Sequence, residues 1–201
     1  MKEAALIVFQ KIPERGKVKT RLAQRIGEEK AVEVYRYLLD YTHQQVDLLR
    51  IPVYIYLDKK ADQDFGSKKN YVTAVQKGED LGEKMKLAFE EVFANGFKKV
   101  LIIGSDCLDL TAGTIQKAFS SLDFHNLVVG PAKDGGYYLI GMKKMHKTLF
   151  DNKPWSSSLV LAETLAEAKR LDLTIQLLKE LSDVDVYEDL NDWLKIKFDI
   201  R

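Results

Sequence analysis

The run Val100-Leu101-Ile102-Ile103-Gly104-Ser105-Asp106-Cys107 passes from four apolar residues to a small residue, a serine and an acid. An apolar strand that ends this way presents its carboxylate at the strand end. Mg²⁺ and Mn²⁺ take hard oxygen ligands, often one or two carboxylates with phosphate and water completing the shell. Asp106 is therefore a candidate ligand for a metal that bridges a diphosphate. The plain alternative is a cap on the next helix, but Asp109 or Thr111 is better placed for that.

A second stretch, Lys11-Ile12-Pro13-Glu14-Arg15-Gly16-Lys17-Val18-Lys19-Thr20-Arg21, crowds five cations around one proline and one glycine. Lysine supplies compact charge and arginine a planar donor fork, and a glycine lets backbone amides approach oxygens closely. Together they suit a phosphate chain, with Lys11, Lys19 and Arg21 sharing the charge of a leaving diphosphate. A solvated basic loop is the competing reading, weighed against it evenly because the stretch directly follows the first apolar run. Neither GxxxxGK[ST] nor GxGxxG is present, so the loop is not a Walker A or dinucleotide fingerprint.

The third stretch, Gly130-Pro131-Ala132-Lys133-Asp134-Gly135-Gly136-Tyr137-Tyr138-Leu139-Ile140-Gly141, has strong turn signals at Asp134-Gly135-Gly136. An ordinary hairpin accounts for them. The same turn could carry Asp134 to an acceptor hydroxyl as a base, or to a metal, while Gly135 and Gly136 make room for a sugar. Nearer the C-terminus, Asp183 and Asp185 alternate on a strand-like stretch, so one of them could complete a metal site begun by Asp106. Ser156 and Tyr187-Glu188 read as helix-entry chemistry. Cys107 reads as a small buried hydrophobe, and His43, His125 and His146 lack metal-ligand spacing.

The elements that must position these residues alternate along the chain. Strands are expected at Ala4 to Phe9, Pro52 to Leu57, Val72 to Val75, Lys99 to Gly104, Leu127 to Gly130, Gly136 to Gly141 and Leu173 to Leu178. Helices are expected at Glu28 to Leu49, Leu81 to Asn95, Thr111 to Leu122, Ser156 to Leu171 and Tyr187 to Phe198, with a loop from Gln10 to Thr20. Nearly continuous apolar strands between amphipathic helices predict a mostly parallel sheet between helix layers. In such sheets ligands bind beyond the carboxyl ends of the strands, which is where the stretches above lie. Phe65 to Asn70 is a surface-loop candidate, and no repeat or linker divides the chain, so residues 1–201 are expected to form one domain.

Among 201 residues, 46% are hydrophobic and 30% charged, enough for a substantial core. Lys and Arg number 31 against 30 Asp and Glu, so the overall balance calls for no nucleic acid or acidic membrane partner. A lone cysteine, no signal-peptide pattern and no apolar stretch near the ~20 residues of a spanning helix make the cytoplasm the expected compartment.

Taken in order, these strings resemble a known family. They are Phe9-Gln10-Lys11 with Gly16 to Leu22, Gln76 to Met85, Ile103 to Cys107, Gly130 to Gly141, Trp155-Ser156, and Asp183-Val184-Asp185 with Glu188-Asp189-Leu190. The chain is similar to the DUF2064 group of bacterial glycosyltransferase-like proteins, related to molybdenum-cofactor guanylyltransferases and other nucleotidyltransferases. The resemblance implies the glycosyltransferase A, or nucleotide-diphospho-sugar transferase, fold: three α/β/α layers, Rossmann-like, with a mixed and mostly parallel sheet. It implies a nucleotide under the first loop and Mg²⁺ or Mn²⁺ at the Asp106 strand end. Nucleotide contacts are expected at Lys11, Gly16, Lys19, Arg21, Gly78, Asp80 and Ser105, and the metal at Asp106 and Asp185, with Asp183 the alternative to Asp185. The resemblance implies neither reaction nor acceptor; acceptor contacts are expected at Gly135, Gly136, Trp155 and Ser156, and catalytic roles at Lys19, Arg21 and Asp134. The chain departs from the family pattern at Arg15 and Leu108, where proline is usual, and at Val186, where threonine is common.

The reaction expected first is glycosyl transfer from a nucleotide diphosphate sugar to a small-molecule or glycan acceptor. Nucleotidyl transfer from a nucleoside triphosphate to a phosphorylated acceptor, with release of pyrophosphate, is the near alternative. A non-catalytic nucleotide-binding protein is the third reading, and a homo-oligomer is compatible with all three.

Overall fold

An unbroken apolar run stays out of water only if both its faces are covered, and the sheet meets that demand with helices on each side. The structure is a computed structural model that describes residues 2–61 and 71–200. Parallel strands β1 (Lys2–Gln10), β2 (Val53–Leu57), β3 (Tyr71–Val75) and β4 (Phe97–Ile103) form one half of the sheet. In the other half β6 (Tyr137–Met142) runs antiparallel to both β4 and β5 (Leu127–Pro131), and β7 (Ile175–Leu177) runs parallel to β5. The seven strands lie in the order β3-β2-β1-β4-β6-β5-β7. The sheet is therefore mixed and mostly parallel, as expected, and the turn at Asp134-Gly135-Gly136 joins an antiparallel pair. The expected surface loop Phe65 to Asn70 lies outside the described residues.

Side-chain alternation along β1 sends Leu6 and Val8 into one core and Ala5 and Ile7 into the other. Helices α2 (Glu28–Asp47) and α4 (Ala112–Ser121) cover the first face through Val46, Ile115, Ala118 and Leu122. Helices α3 (Leu81–Ala94) and α5 (Val160–Arg170) cover the second through Met85, Phe89, Val92 and Ala168. Burying a side chain such as Leu6 or Ile7 contributes about 1.5–3 kcal/mol, which is why register is fixed here. A third cluster joins the outer side of α2 to α1 (Thr20–Ile26) and α6 (Asp192–Lys197) through Leu22, Leu38, Leu190 and Leu194.

The functional consequence of this order lies between β1 and β4. The first three strands are laid down outward from β1, and the chain then crosses back to place β4 on the other side of β1. Val8 is paired with Ile103, so Lys11 and the Gly104-Ser105-Asp106 stretch leave the sheet side by side at its switch point.

Three local expectations shift. The basic loop closes into α1, a seven-residue helix with one buried apolar residue, Leu22, too short to show a period. Helix α5 starts at Val160 rather than Ser156, because Ser156 takes a left-handed φ of 65° that ends any helical path. The expected C-terminal helix splits into a 3₁₀ turn at Tyr187–Asp189 and α6, which Asn191 caps by accepting from Leu194 N at 2.8 Å.

Candidate functional site

The geometry of the site starts from the backbone of the basic loop. Lys11 N donates to the Tyr35 hydroxyl at 2.8 Å, and Ile12 N donates to Asp58 Oδ1 at 2.8 Å. The Tyr35 hydroxyl also lies 3.4 Å from Ser105 Oγ, which ties the loop after β1 to the loop after β4. Burial pushes that hydroxyl up to about 12, so it remains a neutral hydrogen-bonding group. Arg15 is held away by Glu28 and Glu29 in the first turn of α2, at 3.1 and 2.9 Å. The remaining loop cations, Lys11, Lys17, Lys19 and Arg21, line a cleft of about 380 Å³ together with Gln76, Ser105 and Asp106.

Lys19 is the hinge of this arrangement. It stands just before α1 in a left-handed conformation, φ 46°, which a non-glycine residue seldom adopts. Its side chain, only 5% exposed, turns inward and places the ammonium 2.8 Å from Asp106 Oδ2 and 3.7 Å from Asp185 Oδ1. An ammonium withdrawn from water requires such opposite charge. Arg21, two residues on and exposed, reaches the other oxygen of Asp185 at 2.8 Å.

The C-terminal acidic stretch is brought to β4 by backbone contact: Val184 N donates to the Asp106 carbonyl at 2.9 Å. Asp189 Oδ2 then accepts from both Asp185 N and Val186 N at 2.8 Å and holds Asp185 facing Lys19. Asp183 lies deeper. Burial, then the charge of Asp106, pushes its carboxyl up to about 7, with Asp134 and Asp185 adding to the rise and Lys19 opposing it. Its Oδ1 is buried without a hydrogen-bond partner. These residues open onto a second cleft of about 510 Å³, lined by Arg21, Lys133, Asp134, Asp183, Asp185 and Glu188 among others. The two clefts share Arg21 and Asp185.

The structure thus gathers Lys11, Lys19, Arg21, Ser105, Asp106, Asp134 and Asp185 around two adjoining clefts. The Asp134 carboxylate is oriented by its own turn, Oδ1 accepting from Gly136 N at 2.9 Å. Gly135 has φ 87° and passes so close to the Ser158 carbonyl that an added Cβ would overlap it. Gly135 and Gly136 shape the turn without lining either cleft. Gly16 faces the Glu28 carboxylate. Asp80 caps α3 by accepting from Glu83 N at 2.8 Å, Gly78 lies against the first turn of that helix, and neither lines the two clefts. Trp155 lies over Gly82 of α3, and exposed Ser156 follows it, both apart from the clefts.

Thr111 caps α4 by accepting from Thr114 N at 3.2 Å, which leaves Asp106 free of that duty. Cys107 is buried, its thiol pushed up to about 12 chiefly by burial. Among the described residues, no three His, Cys, Asp or Glu side chains form a group able to hold a metal ion unaided. None of the helices described there is long and apolar enough to cross a membrane. Tyr35 and Asp58 carry no functional signal in the sequence, and Asp189 stands there only within a string shared with the family. Tyr35 falls in the apolar stripe of α2 and reads as core, and the two aspartates act through backbone amides that leave no pattern.

A search of the solved structures gives a protein of Desulfovibrio desulfuricans G20, described as a "putative nucleotide-diphospho-sugar transferase", at 31% identity and TM-score 0.88, covering 97% of this chain and 91% of that one. The inositol-1-phosphate CTP transferase of T. maritima matches at 14% identity and TM-score 0.64, covering 100% of this chain and 96% of its own. Rv0371C of Mycobacterium tuberculosis H37Rv, in a complex with manganese, matches at 13% identity and TM-score 0.56, over 94% and 95% of the two chains. The last two likenesses speak to the fold, and the nucleotide-diphospho-sugar transferase fold is the one observed. None of the curated proteins matches the chain in sequence. Residues 41–157 match the pattern of "Uncharacterized protein conserved in bacteria (DUF2064)", and with that match and the relative from Desulfovibrio, the chain belongs to the DUF2064 family.

Proposed function

We propose that the protein is a transferase that moves a glycosyl group from a nucleotide diphosphate sugar to an acceptor hydroxyl. The observation that carries this reading is Lys19, whose buried ammonium stands between Asp106 and Asp185 where the cationic cleft meets the acidic one. A diphosphate in the first cleft would meet Lys11, Lys19 and Arg21, and a sugar on its far end would project toward Asp134. The bond from the anomeric carbon to the diphosphate breaks, its electron pair leaves with the diphosphate, and the acceptor oxygen forms the new bond. Fixed cations aimed at that developing charge commonly lower a barrier by about 3–4 kcal/mol. Asp134, with Oδ2 uncommitted to its own turn, would take the acceptor proton.

Mg²⁺ or Mn²⁺ fits this donor set. Asp106 and Asp185 offer hard oxygens around one shared lysine, and the buried Asp183 Oδ1 beside them has no hydrogen-bond partner of its own. Two carboxylates without a third ligand suit a metal that substrate phosphates complete. When bound, it would neutralise charge on the leaving diphosphate.

Nucleotidyl transfer is the second reading, favoured by one feature: four cations, Lys11, Lys17, Lys19 and Arg21, line the first cleft, enough for a triphosphate. Thermal shift with UDP-, GDP- and CDP-sugars against the free triphosphates, each with Mn²⁺, separates the two. Stabilisation by a nucleotide sugar is the expected result. Stabilisation by triphosphates alone, followed by pyrophosphate release, overturns glycosyl transfer.

A further inference from the structure

The two clefts differ in charge as sharply as in position. The first carries four cations and two acids, while the second is lined by six carboxylates and two cations, Arg21 and Lys133. Arg21 is already committed to Asp185 at 2.8 Å. Asp109, Asp134 and Glu188 carry no ion pair among the described residues. A divalent cation held by Asp106 and Asp185 would not reverse this balance: with Arg21 and Lys133 it brings four positive charges, against five carboxylates even when Asp183 is left out.

An ionised carboxylate only accepts hydrogen bonds. A wall of carboxylates therefore seeks donors, either hydroxyls or ammonium groups, and charge-assisted bonds to them are the stronger kind. A phosphate dianion brings no donor and places like charge against like, a mismatch that costs affinity and turns away wrong partners. A cleft of about 510 Å³ accommodates one or two sugar rings.

We infer that the acceptor bound in the Asp109, Asp134 and Glu188 cleft is an uncharged or amino-bearing polyhydroxyl compound, and that phosphorylated acceptors are excluded by charge. The inference rests on the glycosyl-transfer reading for the placement of the acceptor, and it weighs against the nucleotidyl alternative, whose acceptor is a phosphate.

Ligand-observed NMR titration of methyl glucoside, glucosamine and glucose 6-phosphate, in the presence of Mn²⁺ and a nucleoside diphosphate, tests it. The expected order is glucosamine at least as tight as methyl glucoside, with glucose 6-phosphate weaker than methyl glucoside by about tenfold or more. The double variant Asp109→Lys/Glu188→Lys should bring the neutral and phosphorylated probes to within about threefold of each other. Asp109→Asn/Glu188→Gln, which keeps the side-chain shapes, should move the ratio part of the way if the charge reversal perturbs folding. Equal binding of all three probes, including no binding by any, or tighter binding of glucose 6-phosphate, overturns the inference. Nucleoside diphosphate affinity measured in the same samples keeps the two readings apart. A diphosphate that fails to bind, with the sugar order intact, removes the donor assignment and leaves the acceptor cleft as inferred.

Discussion

Val184 N donates to the carbonyl of Asp106 at 2.9 Å, and this one backbone bond joins the C-terminal acidic stretch to the end of the fourth strand. It sets Asp185 beside Asp106 with Lys19 between them, so the site depends on a contact between distant parts of the chain.

Replacing Lys19 tests both charge and strain. Lys19→Ala removes the ammonium that faces two carboxylates, and nucleoside diphosphate affinity measured by calorimetry should fall by about tenfold to a hundredfold, as for loss of a charge-assisted contact. Stability should fall less than for a fully buried pair, because Asp106 is 35% exposed and water answers part of its charge. Lys19→Gly should then be more stable than Lys19→Ala by about 1 kcal/mol, since glycine accepts the positive φ and alanine does not. Equal stability of the two variants in urea would remove the strain argument.

The fold was legible because period and burial agree. Leu6, Ile7, Leu101 and Ile103 stand in short apolar runs, and each is buried as such runs require. The strand-end rule led to Lys11 and Asp106, which the β1–β4 register does bring together. What the sequence hid was long-range and backbone-mediated. No local pattern says that Tyr35 would accept from Lys11 N, or that Asp189 would orient Asp185 through two amides. Nor did charge alone separate Arg15, turned outward to Glu28, from Lys19, turned inward to Asp106.

The raised Asp183 carboxyl makes stability depend on pH in a stated direction. Its folded value of about 7 lies above the ordinary carboxylate value of about 3.9, so the native state binds this proton more tightly than the unfolded chain. The stabilisation is complete below about pH 4 and is lost as pH rises through about 7. In EDTA, urea unfolding of the wild type should therefore lose on the order of 2–4 kcal/mol relative to Asp183→Asn between about pH 4.5 and pH 8. Parallel pH profiles for the two proteins would show that this carboxyl titrates normally in the fold.

Gly82 and Trp155 form a packed pair that tolerates no side chain between them, because a Cβ on Gly82 would overlap the indole ring. Gly82→Ala should displace Trp155 and destabilise the protein by about 1–3 kcal/mol despite the better helix propensity of alanine. Red-shifted tryptophan emission at low urea, before global unfolding, should accompany the loss. A variant as stable as wild type would mean that the Trp155 loop moves aside without cost.

Cys107 sits one residue beyond the metal-ligand candidate, and its burial decides whether it takes part in the chemistry. With its thiol pushed up to about 12 and 5% exposed, almost no thiolate exists at neutral pH, and reagents have no route to it in the native state. Labelling with a disulfide reagent at about pH 8 should proceed only through opening of the fold, with a rate that rises with urea as the unfolded population does. Cys107→Ala should keep transferase activity while costing about 1 kcal/mol of stability, the price of a small cavity in the core cluster that holds Leu110 and Tyr138. Rapid stoichiometric labelling of the native protein, or loss of activity in a folded Cys107→Ala variant, would instead make this thiol part of the site.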